Sequence, residues 1–307
     1  MTKKDKHIIY YDNRYGRNDG PPLYYKYAME MVLKLNIKHS LPIGDTLREN
    51  GPVDYHWWID WGEDGLMPHY KEWYPPQDGG KTIYVSSDTH LGRDYRFQKA
   101  LQFDYVFFNQ LRAVEEFKKL YPKKKNVYWL PHAAEPKVYK KTHQLKKYDI
   151  CFIGHIQDVK NYNGFTRVDM LDRAFKEFPN FYWGTRNGQK PELNMFEDAA
   201  KRFNQSKIVL NVSIGDDLNM RLFETLSTGS FLLTNYLPTL DKLFKDGKHL
   251  VTYKTLDEMV EKIKYYLEHD KEREKIAKTG YEEFIKKHKY SDRIQTVLRI
   301  IEKGGEK

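Results

Sequence analysis

The sequence predicts an α/β protein built from two similar halves. Short apolar runs of strand length recur along the chain, and most of them lead into a segment with apolar residues at helical spacing. This alternation stops in a Pro- and Lys-rich stretch near residue 140 and starts again at Tyr148. Because 307 residues suit two domains of about 150 residues each, we expect one domain at 1–140 and a second at 141–288.

The first half is expected to hold strands at 7–12, 55–61, 81–87, 104–109 and 126–130, and helices at about 21–36 and 111–120. The polar segment Ser87–His90 follows the third of these strands. Side chains at the carboxyl end of a strand in an open α/β sheet reach the ligand crevice. Asp88 and His90 are therefore candidate catalytic residues, and two hydrogen-bonded loop residues are the alternative.

The second half is expected to hold strands at 148–153, 181–184, 208–212, 230–234 and 250–253, and helices from about 166 and at 196–203, 256–267, 273–288 and 291–302. Between the strands at 208–212 and 230–234, apolar residues at helical spacing predict one more helix. Asp216 or Asp217 would cap its start, and Gly229 would end it. A strand that leads into a capped helix N-terminus is where α/β proteins bind anionic ligands.

Composition and charge exclude several classes of protein. With 15% aromatic and 40% hydrophobic residues the chain is expected to fold, and no apolar run approaches the ~20 residues that cross a bilayer. The single cysteine, Cys151, excludes an intramolecular disulfide, and no cluster of His and carboxylates predicts a metal site. A net charge of +9 would attract nucleic acid, an anionic membrane or nucleotide phosphates, or it reflects solvated lysines. We expect a cytoplasmic enzyme.

Seven residues separate Asp216 from Glu224. This spacing resembles the acidic E-x7-E element of retaining GT-B glycosyltransferases, with Asp in the first place. The wider string N-x-R-x-F-E-x-L-x-x-G at Asn219–Gly229 is similar to the CgeB-like (spore-maturation-type) branch of these enzymes. The resemblance implies two Rossmann-like domains that face each other across a cleft, with the final segment, 289–307, packing back on the first domain. An ordinary capped helix with solvated charges is the alternative for this stretch.

The resemblance also implies roles for single residues. Glu224 would accept hydrogen bonds from the ribose hydroxyls, and Asp216 would hold hydroxyls of the donor sugar. His155 occupies the place of an arginine that contacts the diphosphate in the family, so Arg167 or Arg221 would compensate. Further donor-side candidates are Asp217, Asn219, Arg221, Gly154, His155, Lys160 and Arg186, and the acceptor-side candidates are Asn13, Arg14, Gly16 and His132.

The implied reaction is the transfer of a sugar, of the hexosyltransferase type, from a nucleotide diphosphate sugar to an acceptor hydroxyl. A UDP-sugar is the expected donor, with retention of the anomeric configuration and no metal ion or other cofactor. Two alternatives stay open: an enzyme that glycosylates modified bases in DNA, and a non-catalytic binder of nucleotide sugars or nucleic acid. The positive charge would suit an anionic acceptor, either nucleic acid or a glycan. The sequence predicts neither the acceptor nor the oligomeric state.

Overall fold

Two parallel β-sheets organise the chain, one in each of two compact units. The computed structural model describes residues 6–12, 20–39, 53–61, 75, 78–156, 158–184 and 197–304. The first unit runs to Pro131 and includes the last helix from Tyr290, and the second unit runs from His132 to Lys289. The predicted α/β class is confirmed, because every ladder within the two sheets is parallel.

The described part of the first unit forms a six-stranded sheet. Its strands are β1 His7–Asp12, β2 Asn36–His39, β3 Tyr55–Asp60, β4 Lys81–Ser86, β5 Tyr105–Phe108 and β6 Val127–Trp129, in the order β2-β1-β3-β4-β5-β6. The described helices of this unit are α1 Pro21–Tyr27, α2 Arg93–Ala100, α3 Leu111–Leu120 and the last helix of the chain, Tyr290–Glu302. Every residue of β3 is buried, as expected for a central strand of a parallel sheet.

The first unit differs from the prediction at two helices. α1 continues as a π-helical turn, Ala28–Val32, and the chain then forms the edge strand β2 instead of a helix to residue 36. Lys34 has a left-handed backbone with φ of 55°, which ends the helix. The sequence does not predict α2, because its buried face contains Arg96 and Lys99 beside Phe97. Two cations interrupt the apolar pattern that marks a helix.

The described part of the second unit forms a five-stranded sheet. Its strands are β7 Tyr148–Ile153, β8 Phe181–Gly184, β9 Ser206–Asn211, β10 Phe231–Asn235 and β11 Val251–Tyr253, in the order β11-β10-β9-β7-β8. Its helices are α4 Arg167–Glu177, α5 Glu197–Asn204, α6 Met220–Ser227, α7 Leu256–Glu268 and α8 Asp270–Lys287, so the last helix of the chain is α9. Apolar side chains of the strands pack with those of α4, α7 and α8 to form the core.

The helix α6 ends as predicted but begins at a different cap. Asn219 is the N-cap in place of Asp216 or Asp217, and its side-chain oxygen accepts a hydrogen bond from the Leu222 amide at 3.4 Å. Asn and Asp cap helices about equally well, so three neighbouring candidates are not separated by sequence alone. Gly229 follows the last turn with φ of 68°, a left-handed conformation that favours glycine.

The two units divide after Pro131, upstream of the predicted boundary near residue 140. The segment that follows is bound to the second unit. Ser227 Oγ donates to the carbonyl of Tyr139 at 2.8 Å, and Asn204 Nδ2 donates to the carbonyl of Lys140 at 2.9 Å. These contacts fix the segment before β7 begins, and α9 groups with the first unit.

Four polar side chains are buried where β3, β4 and α2 meet. The carboxylate of Asp60 pairs with Arg96, with Nε and Oδ2 3.1 Å apart, and accepts a hydrogen bond from the Tyr84 hydroxyl. Lys99 is 3% exposed, and its Nζ lies 5.8 Å from the centre of the Trp58 ring. Burial lowers the pKa of Lys99 to about 8, although the charge of Asp60 opposes this shift.

We expect Lys99→Met to stabilise the protein at pH 7 by about 1–3 kcal/mol, because the variant no longer buries an ammonium group. Between pH 8 and 10.5 the unfolded chain holds a proton that the folded protein has released. The free energy of unfolding of the wild type therefore rises with pH relative to the variant, and the advantage of the variant shrinks. Urea unfolding of both proteins from pH 7 to pH 10 measures the difference. A difference that is constant across this range would contradict the assigned shift.

Candidate functional site

The helix α6 starts at the carboxyl edge of the second sheet. β9 ends at Asn211, and residues 212–218 lead from that edge to the N-cap Asn219. The first amides of an α-helix have no acceptor within the helix, and they lie at the positive end of its dipole. Phosphate and carboxylate groups bind readily at such a helix start.

The side chain of Asn211 connects the start of α6 to the sheet. Asn211 is fully buried, and its Nδ2 donates to Thr234 Oγ1 on β10 at 3.0 Å. Its Oδ1 accepts two hydrogen bonds of 3.0 Å, one from Asn219 Nδ2 and one from Arg221 Nη1. Asn219 Nδ2 also donates to the carbonyl of Val212 at 3.2 Å. One buried amide therefore positions both the N-cap and a guanidinium group.

The guanidinium of Arg221 lies against the end of β7. Its Cζ is 4.7 Å from the centre of the Phe152 ring, within range of a cation–π interaction. Gly154 comes directly after β7, and a Cβ added there would lie 1.8 Å from Nη2 of Arg221. Any larger residue at this position would displace the guanidinium. The glycine therefore makes room for a positive charge next to the start of α6.

Three acidic residues lie on α6 or just before it. Glu224 is 4% exposed, so its side chain is buried and does not project into bulk solvent. Asp217 is also buried, and Asp216 is half-buried in the loop before the helix. This loop is joined to the loop after β7, because the Tyr162 amide donates to the carbonyl of Gly215 at 2.8 Å. The acidic candidates before and on α6 therefore lie on a segment that is hydrogen-bonded to the loop carrying the candidates His155 and Lys160.

The other cations of this region have different environments. Arg167 is buried and donates from Nε to the carbonyl of Val212 at 3.0 Å and from Nη1 to the carbonyl of His155 at 2.9 Å. It therefore ties two loops together through their backbones. His155 is half-buried, and Lys160 is exposed on the same loop. Of the two arginines considered as substitutes for the missing family cation, Arg221 is the one at the start of α6.

Sequence analysis missed several amide side chains that brace this edge of the sheet. Asn235, at the end of β10, accepts a hydrogen bond from the Ser213 amide at 2.8 Å and donates to Asn163 Oδ1 at 3.2 Å. Asn211 has the corresponding place at the end of β9. An asparagine as the last residue of two successive apolar runs is the signal that would have revealed them.

In the first unit, Asp88 and His90 lie in a turn after β4. Asp88 is half-buried, and His90 is exposed with its Nδ1 3.0 Å from Nε2 of Gln110. Ser87, buried just before the turn, donates to Oδ1 of Asn109, the residue that follows β5. Asn109 and Gln110 are residues that sequence analysis missed, although they also follow a buried strand. Two neighbouring strands therefore bring polar side chains to one edge of the first sheet.

The structure does not place the remaining candidates together in a site. His132 is the first residue of the second unit and is buried. Asn13, Arg14, Gly16 and Arg186 lie outside the described residues. Within the part of the chain that the structure describes, no group of three or more His, Cys, Asp or Glu side chains could hold a metal ion. Among the described helices, none has the length and apolar character needed to span a bilayer.

One family model and several solved structures are similar to this chain. Residues 167–299 match a family model described as glycosyl transferase-like. HepE of Anabaena, in complex with UDP-glucose, superposes with a TM-score of 0.67 at 10% identity, over 97% of this chain and 99% of that chain. Sucrose-phosphate synthase of Thermosynechococcus elongatus has a TM-score of 0.66 at 9% identity, over 97% and 98% of the two chains. No curated protein sequence matches the chain.

A third similar structure is longer than this chain. TarM of S. aureus has a TM-score of 0.57 at 11% identity, and the match covers 80% of this chain and 55% of TarM. This chain therefore spans about half the length of TarM. The two parallel-sheet domains and the similar structures fit the predicted GT-B fold of two Rossmann-like domains.

We expect Gly154→Ala to lower the free energy of unfolding by about 1–3 kcal/mol, because the new methyl group occupies the space of the Arg221 guanidinium. The same change made in an Arg221→Ala background should cost clearly less, since the space is then free. Urea unfolding of the wild type, the two single variants and the double variant gives the coupling between the two positions. Equal costs in the two backgrounds would show that Gly154 is needed for another reason.

Proposed function

We propose that the protein transfers a sugar from a nucleotide diphosphate sugar, with a UDP-sugar as the first donor to consider, to the hydroxyl of an acceptor. The start of α6 carries this proposal. There Asn211 holds Arg221 against Gly154, and Glu224 is buried less than one turn further on. The family match covers this helix, and HepE, which shares the fold, is a protein solved with UDP-glucose. TarM is likewise a protein solved with UDP.

In the proposed complex, the diphosphate meets Arg221 and the amides at the start of α6. The ribose hydroxyls donate to Glu224, because an ionised carboxylate accepts two such bonds at once. Asp216 holds hydroxyls of the donor sugar. Further donor contacts are assigned to Gly154, His155, Lys160, Asp217, Asn219 and Arg186.

The proposed reaction breaks the bond between the anomeric carbon and the oxygen of the β-phosphate, and the electron pair stays on that oxygen. The positive charge of Arg221 and the helix amides stabilise the negative charge that develops on the leaving diphosphate. A new bond forms from the anomeric carbon to the acceptor oxygen, whose proton passes to a base. Asp88 and His90 are assigned to the acceptor hydroxyl.

The finer points of the proposal derive from the resemblance at Asn219–Gly229. They are retention of the anomeric configuration, activity without a metal ion, and membership of the CgeB-like branch. The resemblance also leads us to assign the acceptor side to Asn13, Arg14, Gly16 and His132. A cytoplasmic location is a further part of the proposal. The net charge of +9 supports an anionic acceptor.

We expect Glu224→Gln to weaken the binding of UDP and of UDP-glucose equally, by roughly 10- to 100-fold, because a charged acceptor of ribose hydrogen bonds is lost. Asp216→Asn should weaken UDP-glucose but leave UDP unchanged, since Asp216 is assigned to the sugar. Calorimetric titration measures both ligands. Glu261→Gln, which changes an exposed glutamate on α7, is the matched control. Normal affinity of Glu224→Gln for both ligands would remove Glu224 from the site.

The nucleotide is identified by a thermal-shift screen with UDP-, GDP-, ADP- and dTDP-sugars, because a bound donor raises Tm by mass action. Release of free nucleotide on incubation with acceptors then tests transfer. Tight donor binding without release of nucleotide would favour a non-catalytic binder. Sugar transfer to duplex DNA containing modified bases, with salt-sensitive DNA binding, would favour the DNA-modifying alternative.

A further inference from the structure

A buried ion pair lies next to the turn that carries Asp88 and His90. Arg96 is fully buried, and Asp60 is 2% exposed. Two hydrogen bonds join them, from Nε to Oδ2 at 3.1 Å and from Nη2 to Oδ1 at 3.2 Å. The Tyr84 hydroxyl donates to the same carboxylate. The guanidinium is therefore held in a fixed orientation by groups from β3 and β4.

The third nitrogen of this guanidinium holds the turn. Nη1 of Arg96 donates to the carbonyl of Asp88 at 2.8 Å and also to the carbonyl of Leu91. The Leu91 amide donates to the Asp88 carbonyl at 2.8 Å, which closes the turn. A lysine has a single amino group, and it cannot reach a carboxylate and two carbonyls in this forked geometry. Arg96 thus connects the buried ion pair to the backbone of residues 88–91.

The turn contains a strained residue. Asp88 has φ of 50°, in the left-handed region that few residues other than glycine adopt. Such a conformation persists only where the surrounding structure over-determines it, and it is frequent at functional sites. Glycine would adopt this backbone without strain. Aspartate is one of the few other residues that adopt this conformation, and the hydrogen bonds to the Asp88 carbonyl hold it in place.

Asp88, in the turn, also interacts electrostatically with the buried cluster, through the charge of Arg96. Arg96 and Lys99 bring two positive charges to the side chain of Asp60. Burial lowers the pKa of Arg96, but the charge of Asp60 and, more weakly, that of Asp88 raise it above its ordinary value. The carboxylate of Asp88 therefore lies within electrostatic reach of Arg96.

We propose that Arg96 is a positioning residue for the acceptor side of the reaction, because it fixes the strained turn that presents Asp88 and His90. Stability alone does not account for the ion pair, since well-packed apolar residues of similar volume are often as stable as a buried pair. The inference rests on the proposed function, in which this turn meets the acceptor hydroxyl. Arg96 itself contacts the backbone of the turn and acts through it.

Hydrogen exchange tests whether Arg96 holds the turn. In Arg96→Lys, which keeps the charge but loses the fork, exchange of the Leu91 amide should rise by about tenfold or more, while the amides of β3 and β5 stay protected. Lys99→Met is the matched control, because it alters the same buried cluster and leaves the hydrogen bonds from Arg96 to the turn in place. Unchanged exchange at Leu91 would overturn the proposal. If Arg96→Lys does not fold, the double variant Asp60→Leu with Arg96→Met is measured in the same way, with the same expected rise.

Release of UDP from UDP-glucose tests whether the held turn serves the reaction. We expect kcat of Arg96→Lys to fall by about tenfold or more, with the Kd for UDP unchanged, because the donor site lies on the second unit. In an Asp88→Asn background, the same change should add less than about a twofold loss, since both changes act through one turn. Equal losses in the two backgrounds would overturn the positioning role. If the wild type releases no nucleotide from any donor, the proposed function fails, and hydrogen exchange still decides whether Arg96 holds the turn.

Discussion

The hydrogen bonds of one buried amide set the geometry of the candidate site in the second unit. Asn211 joins β9, β10, the cap of α6 and the guanidinium of Arg221 through its two side-chain atoms. An amide is well suited to this place, because it both donates and accepts and carries no charge that would have to be neutralised on burial. Arg221 is held by this amide and by the Phe152 ring, and neither cancels its positive charge. The proposed function places the diphosphate of the donor against this guanidinium.

The first unit contains a fully buried arginine, Arg96, near the end of β3. Arg96 is paired with Asp60 and directs its remaining N–H groups at backbone carbonyls, so its charge is neutralised within the protein. Both arginines lie near the carboxyl ends of parallel strands, where polar groups gather in such sheets. The proposed function assigns Arg221 to the diphosphate of a ligand, whereas Arg96 holds a turn.

The parts of the fold that sequence predicts are those with a plain apolar period. The strands around α6, its amphipathic face and its terminal Gly229 follow from such patterns. α2 and β2 do not, because α2 buries Arg96 and Lys99, and β2 is a four-residue edge strand. The contact of Arg221 with Gly154 depends on β9 lying beside β7, and strand order is not encoded in a local pattern.

A crystal structure of the protein with UDP tests the central claim most directly, namely that the start of α6 binds a nucleotide. We expect the ribose hydroxyls within hydrogen-bond distance of the Glu224 carboxylate and the diphosphate against Arg221 and the first amides of the helix. Asn211 should keep its hydrogen bonds to Thr234 and Asn219 in the complex. UDP bound at another edge of the second sheet, with Glu224 and Arg221 untouched, would contradict the claim.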